Sequence, residues 1–344
     1  MRDPVPTDVL AQALGATLEG DVRTAVGLAP AGAPEAGRIV VCSDEGALAA
    51  TLAADGATAL AAVVVDATTT VPAGAPPVLR HPDPRRALAH LTRRFDATPA
   101  PPPGVDAAAH VSPDAVLEGG VSVGPGAVIG AGAHVGAGAR IGAHAVVAAD
   151  CHVGPDAVLH PHAVLYPATR VGARTVLHAG AVLGADGFGY AAGPEGPEKI
   201  HHLGWVDVGD DVEIGAGTCI DRGTLGATRV GDASKIDNLC QIGHNVQIGR
   251  GCLVAGTCAI GGSCVLGDGV VLGGGVGIRD HVRIGDGAQV AARAGVSKDV
   301  PAGEAWGGTP AVPMRAWARE RYLIGNLEAI WRFVRAARRS DDGA

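Results

Sequence analysis

The chain has 344 residues, of which 53 are Gly; Phe, Trp and Tyr together make up 3%, yet hydrophobic residues reach 47%. Charged residues at 18% amid abundant Ala, Val, Ile and Leu exclude a disordered chain, and a net charge of −8 argues against a nucleic-acid binder. No apolar run approaches the roughly 18 to 20 residues that span a bilayer, so membrane contact is at most peripheral, and the opening Met1-Arg2-Asp3-Pro4 has no apolar signal segment, which reads as cytoplasmic.

Residues 1–104 read as an α/β domain with its linker. Val9–Leu18 has the pattern of a short helix behind Asp8, Arg38–Val41 and Ala61–Val65 read as strands, and Arg85–Phe95 as an amphipathic helix behind Pro84. Pro101-Pro102-Pro103-Gly104 is a stiff boundary.

From Val111 an aliphatic residue recurs every six positions, through Leu117, Val123, Ile129 and onward to Leu183. The register resumes at Val208, slips by four residues around Asp221-Arg222-Gly223-Thr224, and then runs from Val230 to Val296. Gly follows many of these aliphatics, as at Gly124, Gly130, Gly136 and Gly142, and is expected to permit the backbone geometry of a turn. Neither the 3.6-residue period of a helix nor the two-residue period of a strand produces six. The pattern is that of a hexapeptide β-helix, in which each hexapeptide is one short strand and one corner. Residues 105–303 are therefore a mainly β domain, with 184–207 as an extruded loop holding Phe188, Tyr190 and Trp205. Three aromatics there, among ten in the chain, point to packing against another subunit or a ligand.

The seven cysteines have an odd count and no CxxC pair, which argues against disulfides and zinc. Cys151, Cys240, Cys252, Cys258 and Cys264 each stand four residues after a repeat aliphatic, where a small inward side chain is wanted. No metal and no cofactor are expected. Residues 304–344 form a helical tail, from about Pro310 to Arg339, in which Leu323, Leu327, Ile330, Trp331 and Val334 make an apolar stripe and Gly325 divides two pieces. Arg315, Arg319, Arg332, Arg335 and Arg339 concentrate positive charge on this tail, either as a solvated face or as a dock for an acidic partner. Spacing alone does not choose among the 13 His residues, although His201, His202, His244 and His281 are nearest the loop and the coils after it.

The strings GADGFGY (184–190), KI (199–200), VEIGAGTCIDRGTL (212–225), KIDNLCQIGHNVQIG (235–249) and GGTPA (307–311) resemble the UDP-3-O-acylglucosamine N-acyltransferases of lipid A biosynthesis. The resemblance implies a homotrimer of left-handed parallel β-helices. It implies transfer of a 3-hydroxyacyl group from acyl carrier protein to the 2-amine of a nucleotide sugar. It also implies His244 as general base, Gly262 as a backbone oxyanion donor, and Asp237 and Asn238 beside the site. His281 lies 37 residues after His244, two 18-residue coils plus one, hence about 10 Å along the axis. That is too far for direct proton relay and assigns His281 to the acyl chain or carrier arm. Gly295 occupies a position on the acyl groove where a bulkier residue would limit chain length, so a longer chain is expected to fit. The chemistry suits these residues, because an amine attacking a thioester needs a base active near neutral pH and a fixed donor for the oxyanion.

One departure stands out. Family members hold uracil between two aromatic rings of the N-terminal domain, and the matching segment here is Val41–Ala47, with no Phe, Tyr or Trp anywhere before Phe95. Either aliphatic and polar contacts hold the nucleotide, or the enzyme is a related hexapeptide acyltransferase with another amino-sugar acceptor or an acyl-CoA donor. A non-catalytic β-helical assembly protein is the remaining reading.

Overall fold

The computed structural model describes residues 3–308 and 314–341, with side chains described for 3–308 and 318–335. The chain divides into two compact units, Met1–Ala100 and Pro101–Ala344.

The first unit is built on a five-stranded sheet of β1 (Thr17–Glu19), β2 (Gly27–Ala29), β3 (Arg38–Val41), β4 (Ala62–Asp66) and β5 (Val78–His81), in spatial order β1-β5-β4-β3-β2. All neighbours run parallel except β1, which pairs antiparallel with β5. Helices α1 (Thr7–Leu14), α2 (Glu45–Ala53) and α3 (Pro84–Phe95) complete it. The expected first helix stops short of Leu18 because Gly15 adopts a left-handed conformation (φ 66°) and caps it, releasing Thr17–Glu19 into the sheet. Helix α3 begins as expected, with Asp83 accepting from the Arg86 N–H at 3.1 Å and Pro84 in the first turn. The Val41–Ala47 segment is a strand-to-helix turn in which Asp44 Oδ1 caps α2 through the Ala47 N–H at 2.8 Å.

The second unit is a parallel β-solenoid, as the period of six predicts. Its strands, mostly two residues long, form three sheets of nine, eleven and ten strands, visited in turn by the chain. Residues 18 apart stack, as in Gln241 on Ala259 and Ala259 on Gly277. Both interruptions are visible in the register. Arg170 pairs with Asp207 across the extruded segment, and Asp207 pairs with Arg229 across the slip. The extruded segment is partly ordered as a hairpin, Tyr190–Gly193 with Gly196–Lys199. Pairing extends beyond the expected limits at both ends, because Gly104–Val105 pairs with Ser122–Val123 and Ala305–Trp306 with Gln289–Val290.

The repeat aliphatics fill one continuous core, and the five cysteines assigned as filler are buried in it, each at most 2% exposed. The glycines after the aliphatics have a different reason from the one expected. Their backbone is not left-handed at Gly130 or Gly154; instead a Cβ there would stand 2.6 Å from the Ala149 or Ala173 nitrogen of the next coil. Left-handed residues come two positions later, at Gly126 and Gly132 but equally at His144 and Asp150 (φ 56° and 59°). Close coil approach, not turn conformation, selects Gly after the aliphatic.

Stacking also creates histidine columns on the outside. His134–His152, His144–His162 and His160–His178 have ring centroids 5.0, 5.2 and 5.0 Å apart. Burial, then the neighbouring His134 and Arg170, push His152 below its ordinary 6.5, with Glu118 opposing; burial, His178 and Arg140 do the same to His160 against Glu213. The unfolded chain then binds protons that the folded chain refuses, so stability declines as pH falls through 6.5. Thermal melts between about pH 7.5 and 5.5 are expected to show a falling Tm, and a flat profile would contradict this reading.

The tail is helical and divided as expected, into α4 (Met314–Gly325) and α5 (Leu327–Asp341). Leu323, Leu327, Ile330 and Trp331 of its apolar stripe are exposed. Arg319 and Arg335 are also exposed, and Arg332 pairs with Glu328 at 2.5 Å. The side chains of Arg315 and Arg339 lie outside the described residues, as do residues 309–311 of the GGTPA string. Among the described residues, no helix is long and apolar enough to cross a membrane.

Candidate active site

His244 stands at the corner between strand Gln241–Ile242 of the ten-stranded sheet and strand Gln247–Ile248 of the nine-stranded sheet. The four-residue slip makes this corner unlike the others. Its extra residues present the Thr224 N–H and the Leu225 carbonyl to the Asn245 side chain, whose Oδ1 accepts at 2.9 Å and whose Nδ2 donates at 3.0 Å. These two bonds fix which end of the amide is oxygen. Asn245 Oδ1 also lies 3.2 Å from His244 Nδ1, closer than Thr224 Oγ1 at 3.5 Å, and because Oδ1 can only accept, the shorter contact favours the tautomer with the hydrogen on Nδ1. Nε2 is left with its lone pair, free to take a proton. The neutral tautomer suited to a base is thus set by sequence-local geometry.

Nε2 is aimed at Gly262, one coil above, where a Cβ would come within 2.6 Å of it. At some corners the turn N–H two residues after the aliphatic is capped by a side chain of a neighbouring coil. Ala216 donates to Asn238 Oδ1 at 2.7 Å, Arg250 to Asp268 Oδ1 at 2.7 Å, and Asp268 to Asp286 Oδ1 at 2.9 Å. The Gly262 N–H has no such partner among the described residues, and neither do those of His244 and Asp280 on the same column; at Gly262 the absence of a side chain also leaves it open to the groove. An unpartnered donor on the residue that adjoins an imidazole lone pair, with no side chain between them, can serve a developing oxyanion.

These two residues line a groove of about 1030 Å³. Gln241, Ala259 and Gly277 pave its floor, while Asp186, Phe188, Tyr190 and Lys199 of the extruded segment form one wall. Phe188 is 88% exposed and edge-on to Tyr190, with centroids 5.1 Å apart. The Lys199–Asp186 ion pair, 2.6 Å, ties the hairpin base and holds the Asp186 carboxyl below its ordinary range. Behind the groove, buried His202 packs edge-to-face on His244 with centroids 5.2 Å apart, and among the described residues neither of its ring nitrogens has a hydrogen-bond partner. Burial, then His244, lower its proton affinity, with the Asp186 carboxylate opposing.

The remaining sequence-assigned residues are not all brought here. Asp237 and Asn238 line a second groove of about 690 Å³, at the corner between the eleven- and ten-stranded sheets, with His178, Glu213 and Lys235. There Asp237 accepts from the Asn238 and Gly256 N–H groups at 2.7 and 2.9 Å. His281 is exposed and left-handed (φ 61°); its N–H donates to the Gly262 carbonyl at 3.0 Å, but it is not among the groove-lining residues, whereas Asp280 is. Gly295 extends the floor column from Gly277, and a Cβ there would meet nothing within 4 Å. Sequence spacing did not single out Asp221, Gln241 or Asp280 as groove residues; counting 18 back or forward from a known corner would have found Asp280.

Comparison with known proteins agrees with the β-solenoid fold and supplies names for similar chains. The family described as bacterial transferase hexapeptide (six repeats) matches residues 263–298. An Arabidopsis UDP-N-acetylglucosamine acyltransferase of solved structure has the same fold, with a TM-score of 0.56 at 24% identity over 65% of this chain and 80% of that one. In sequence the chain is similar to curated proteins named UDP-3-O-acylglucosamine N-acyltransferase. The protein from Methylobacterium sp. (strain 4-46) is 42% identical over 150 residues, 44% of this chain and 43% of that protein. The one from Rhizobium meliloti (strain 1021) is 49% identical over 142 residues, 41% of this chain and 40% of that protein, so the likeness spans less than half the length of these curated relatives.

Proposed function

We propose that the chain is an N-acyltransferase that moves a 3-hydroxyacyl group from acyl carrier protein to the 2-amine of UDP-3-O-acylglucosamine. The observation that carries this reading is the pairing of a His244 lone pair with an uncapped Gly262 N–H across one groove. The names of the curated relatives supply the substrate class. In this mechanism the amine nitrogen attacks the thioester carbonyl while His244 Nε2 takes a proton from it. The Gly262 N–H stabilises the oxyanion, and the proton returns to the departing thiolate. No covalent enzyme intermediate is needed.

A homotrimer is part of the proposal. The His244 groove and the Asp237–Asn238 groove lie at neighbouring corners of a three-sided prism. Three prisms packed face to face set one copy's Asp237 corner against the next copy's His244 groove. The acyl chain then follows the floor past Gly277 toward Gly295, with His281 above it for the chain or carrier arm.

A second reading keeps the chemistry and changes the acceptor. The N-terminal unit has no aromatic ring before Phe95 to stack a uracil. One assay separates the two: purified protein is offered a labelled 3-hydroxyacyl-carrier series, or acetyl-CoA, against UDP-3-O-acylglucosamine and the nucleotide-free sugar. Transfer to the nucleotide sugar supports the first reading, transfer only to the free sugar overturns it, and a strict preference for short chains overturns the role given to Gly295.

Docking of an acidic carrier on the basic tail is also proposed. Replacing Arg319 and Arg335 by Glu is expected to raise the carrier KM several-fold, more at low salt than at high salt. An unchanged KM at low ionic strength would place the dock elsewhere.

A further inference from the structure

The His244 groove contains three carboxylates, Asp186, Asp221 and Asp280, and two of them already face a cation. Lys199 Nζ lies 2.6 Å from Asp186, and Arg279 Nε 3.9 Å from Asp280. Asp221 has no cation partner among the described residues. The adjacent Arg222 is committed elsewhere, its guanidinium donating to the Gly184 and Pro167 carbonyls at 2.7 and 2.8 Å. Asp221 Oδ1 accepts from Gln241 Nε2 at 3.0 Å, and no described residue donates to Oδ2. The residue is half-buried on strand Cys219–Asp221, beside Gln241–Ile242 and the corner that carries His244. Burial pushes its carboxyl above the ordinary range, and Gln241 and His244 offset this only in part. A half-buried carboxylate without a counter-ion is costly to keep, and a cationic ligand group removes that cost.

We infer that Asp221 binds the acceptor's amino group as its ammonium ion, and so selects an amine over a hydroxyl at the reacting position; this rests on the acyl-transfer reading above. An amine is charged near neutral pH and a hydroxyl is not, so only the amine gains from the carboxylate. The reaction balances as R–NH3+ plus thioester giving amide, thiol and one free proton. The ammonium first releases a proton to solvent at the open side of the groove. The neutral nitrogen then forms the C–N bond as the C–S bond breaks, and His244 carries a second proton from nitrogen to sulfur. Asp221 neither attacks nor leaves; it fixes the nitrogen before the attack.

The test uses the full-length protein and its Asp221→Asn and Asp221→Glu variants. Two quantities are measured: the KM of the amino acceptor, and the Ki of the same sugar with a hydroxyl in place of the amine. For Asp221→Asn, the amine KM is expected to rise about ten-fold or more, the hydroxyl analogue's Ki to stay within about two-fold, and the Tm to be no lower than wild type. An amine KM within about two-fold of wild type overturns the inference, and so does equal weakening of both ligands, which indicates damage to the groove. Should the Asn variant not fold, Asp221→Glu decides by the same KM-against-Ki comparison. Wild-type protein that transfers to no amine overturns the acyl-transfer reading and this inference together; a normal wild type with an unaffected Asp221→Asn overturns the inference alone.

Discussion

Replacing His244 by Ala is expected to lower kcat by about 10²- to 10⁴-fold, the range that a positioned general base supplies. Acceptor KM should change far less, because the ring removes a proton from the nitrogen and does not anchor the sugar. The direction follows from the tautomer. Asn245 Oδ1 holds the hydrogen on Nδ1, so the whole basic capacity of the side chain sits at Nε2, facing the groove. The fold should survive, since His244 projects outward from a corner while the core beneath is closed by Ile242 and Val246, both fully buried. Residual activity of the variant should climb with pH as solvent base takes over the deprotonation. Steady-state transfer measured from about pH 6 to 9 checks both points. A variant with the wild-type rate would remove His244 from the chemistry, whatever the acceptor is.

The solenoid was readable because one inward aliphatic every six residues is a property of each coil, repeated until chance is excluded. The core from Val123 to Val296 and its cysteine filler follow from that count alone. What the count could not provide is the identity of neighbours across a register change. The slip at Asp221–Thr224 is plain in the sequence as four surplus residues, yet their use as the clamp on Asn245 appears only when the coils are stacked. Asp237 and Asn238 show how far the turn of the coil separates close neighbours in sequence within one chain. Seven and six residues before His244 is near in sequence, but one hexapeptide turns the chain by a full corner, and these residues and His244 line different grooves of the same chain. In a solenoid, proximity belongs to residues 18 apart rather than six apart, which is why Gly262 and Asp280 stand over His244. The glycines after the aliphatics were legible as a pattern and misread as to cause. Left-handed corners tolerate His144 and Asp150, whereas the backbone of the next coil leaves no room for a Cβ at Gly130.

That same rule makes Gly262→Ala the sharpest single test of the site. The Gly262 backbone is not left-handed, so alanine adds no conformational strain there. What the new methyl meets is His244, with Nε2 2.6 Å and Cε1 2.7 Å from the Cβ position. Contacts under 3 Å cannot stand, and the imidazole is the part able to move. Its displacement breaks the Nδ1–Asn245 bond, withdraws the Nε2 lone pair from the groove, and puts a methyl group beside the N–H offered to the oxyanion. The expected loss in kcat is at least about 10²-fold, comparable to removal of an oxyanion donor. The Tm should stay near wild type, because the groove side of this corner lies outside the buried core. A second substitution separates the causes. In a His244→Ala background the methyl at 262 has no ring to displace, so adding Gly262→Ala should cost much less than it does in wild type. The two effects are expected to be strongly non-additive in kcat. Full additivity would mean that Gly262 and His244 act at separate places, and the pairing of base and donor across one groove would fall with it.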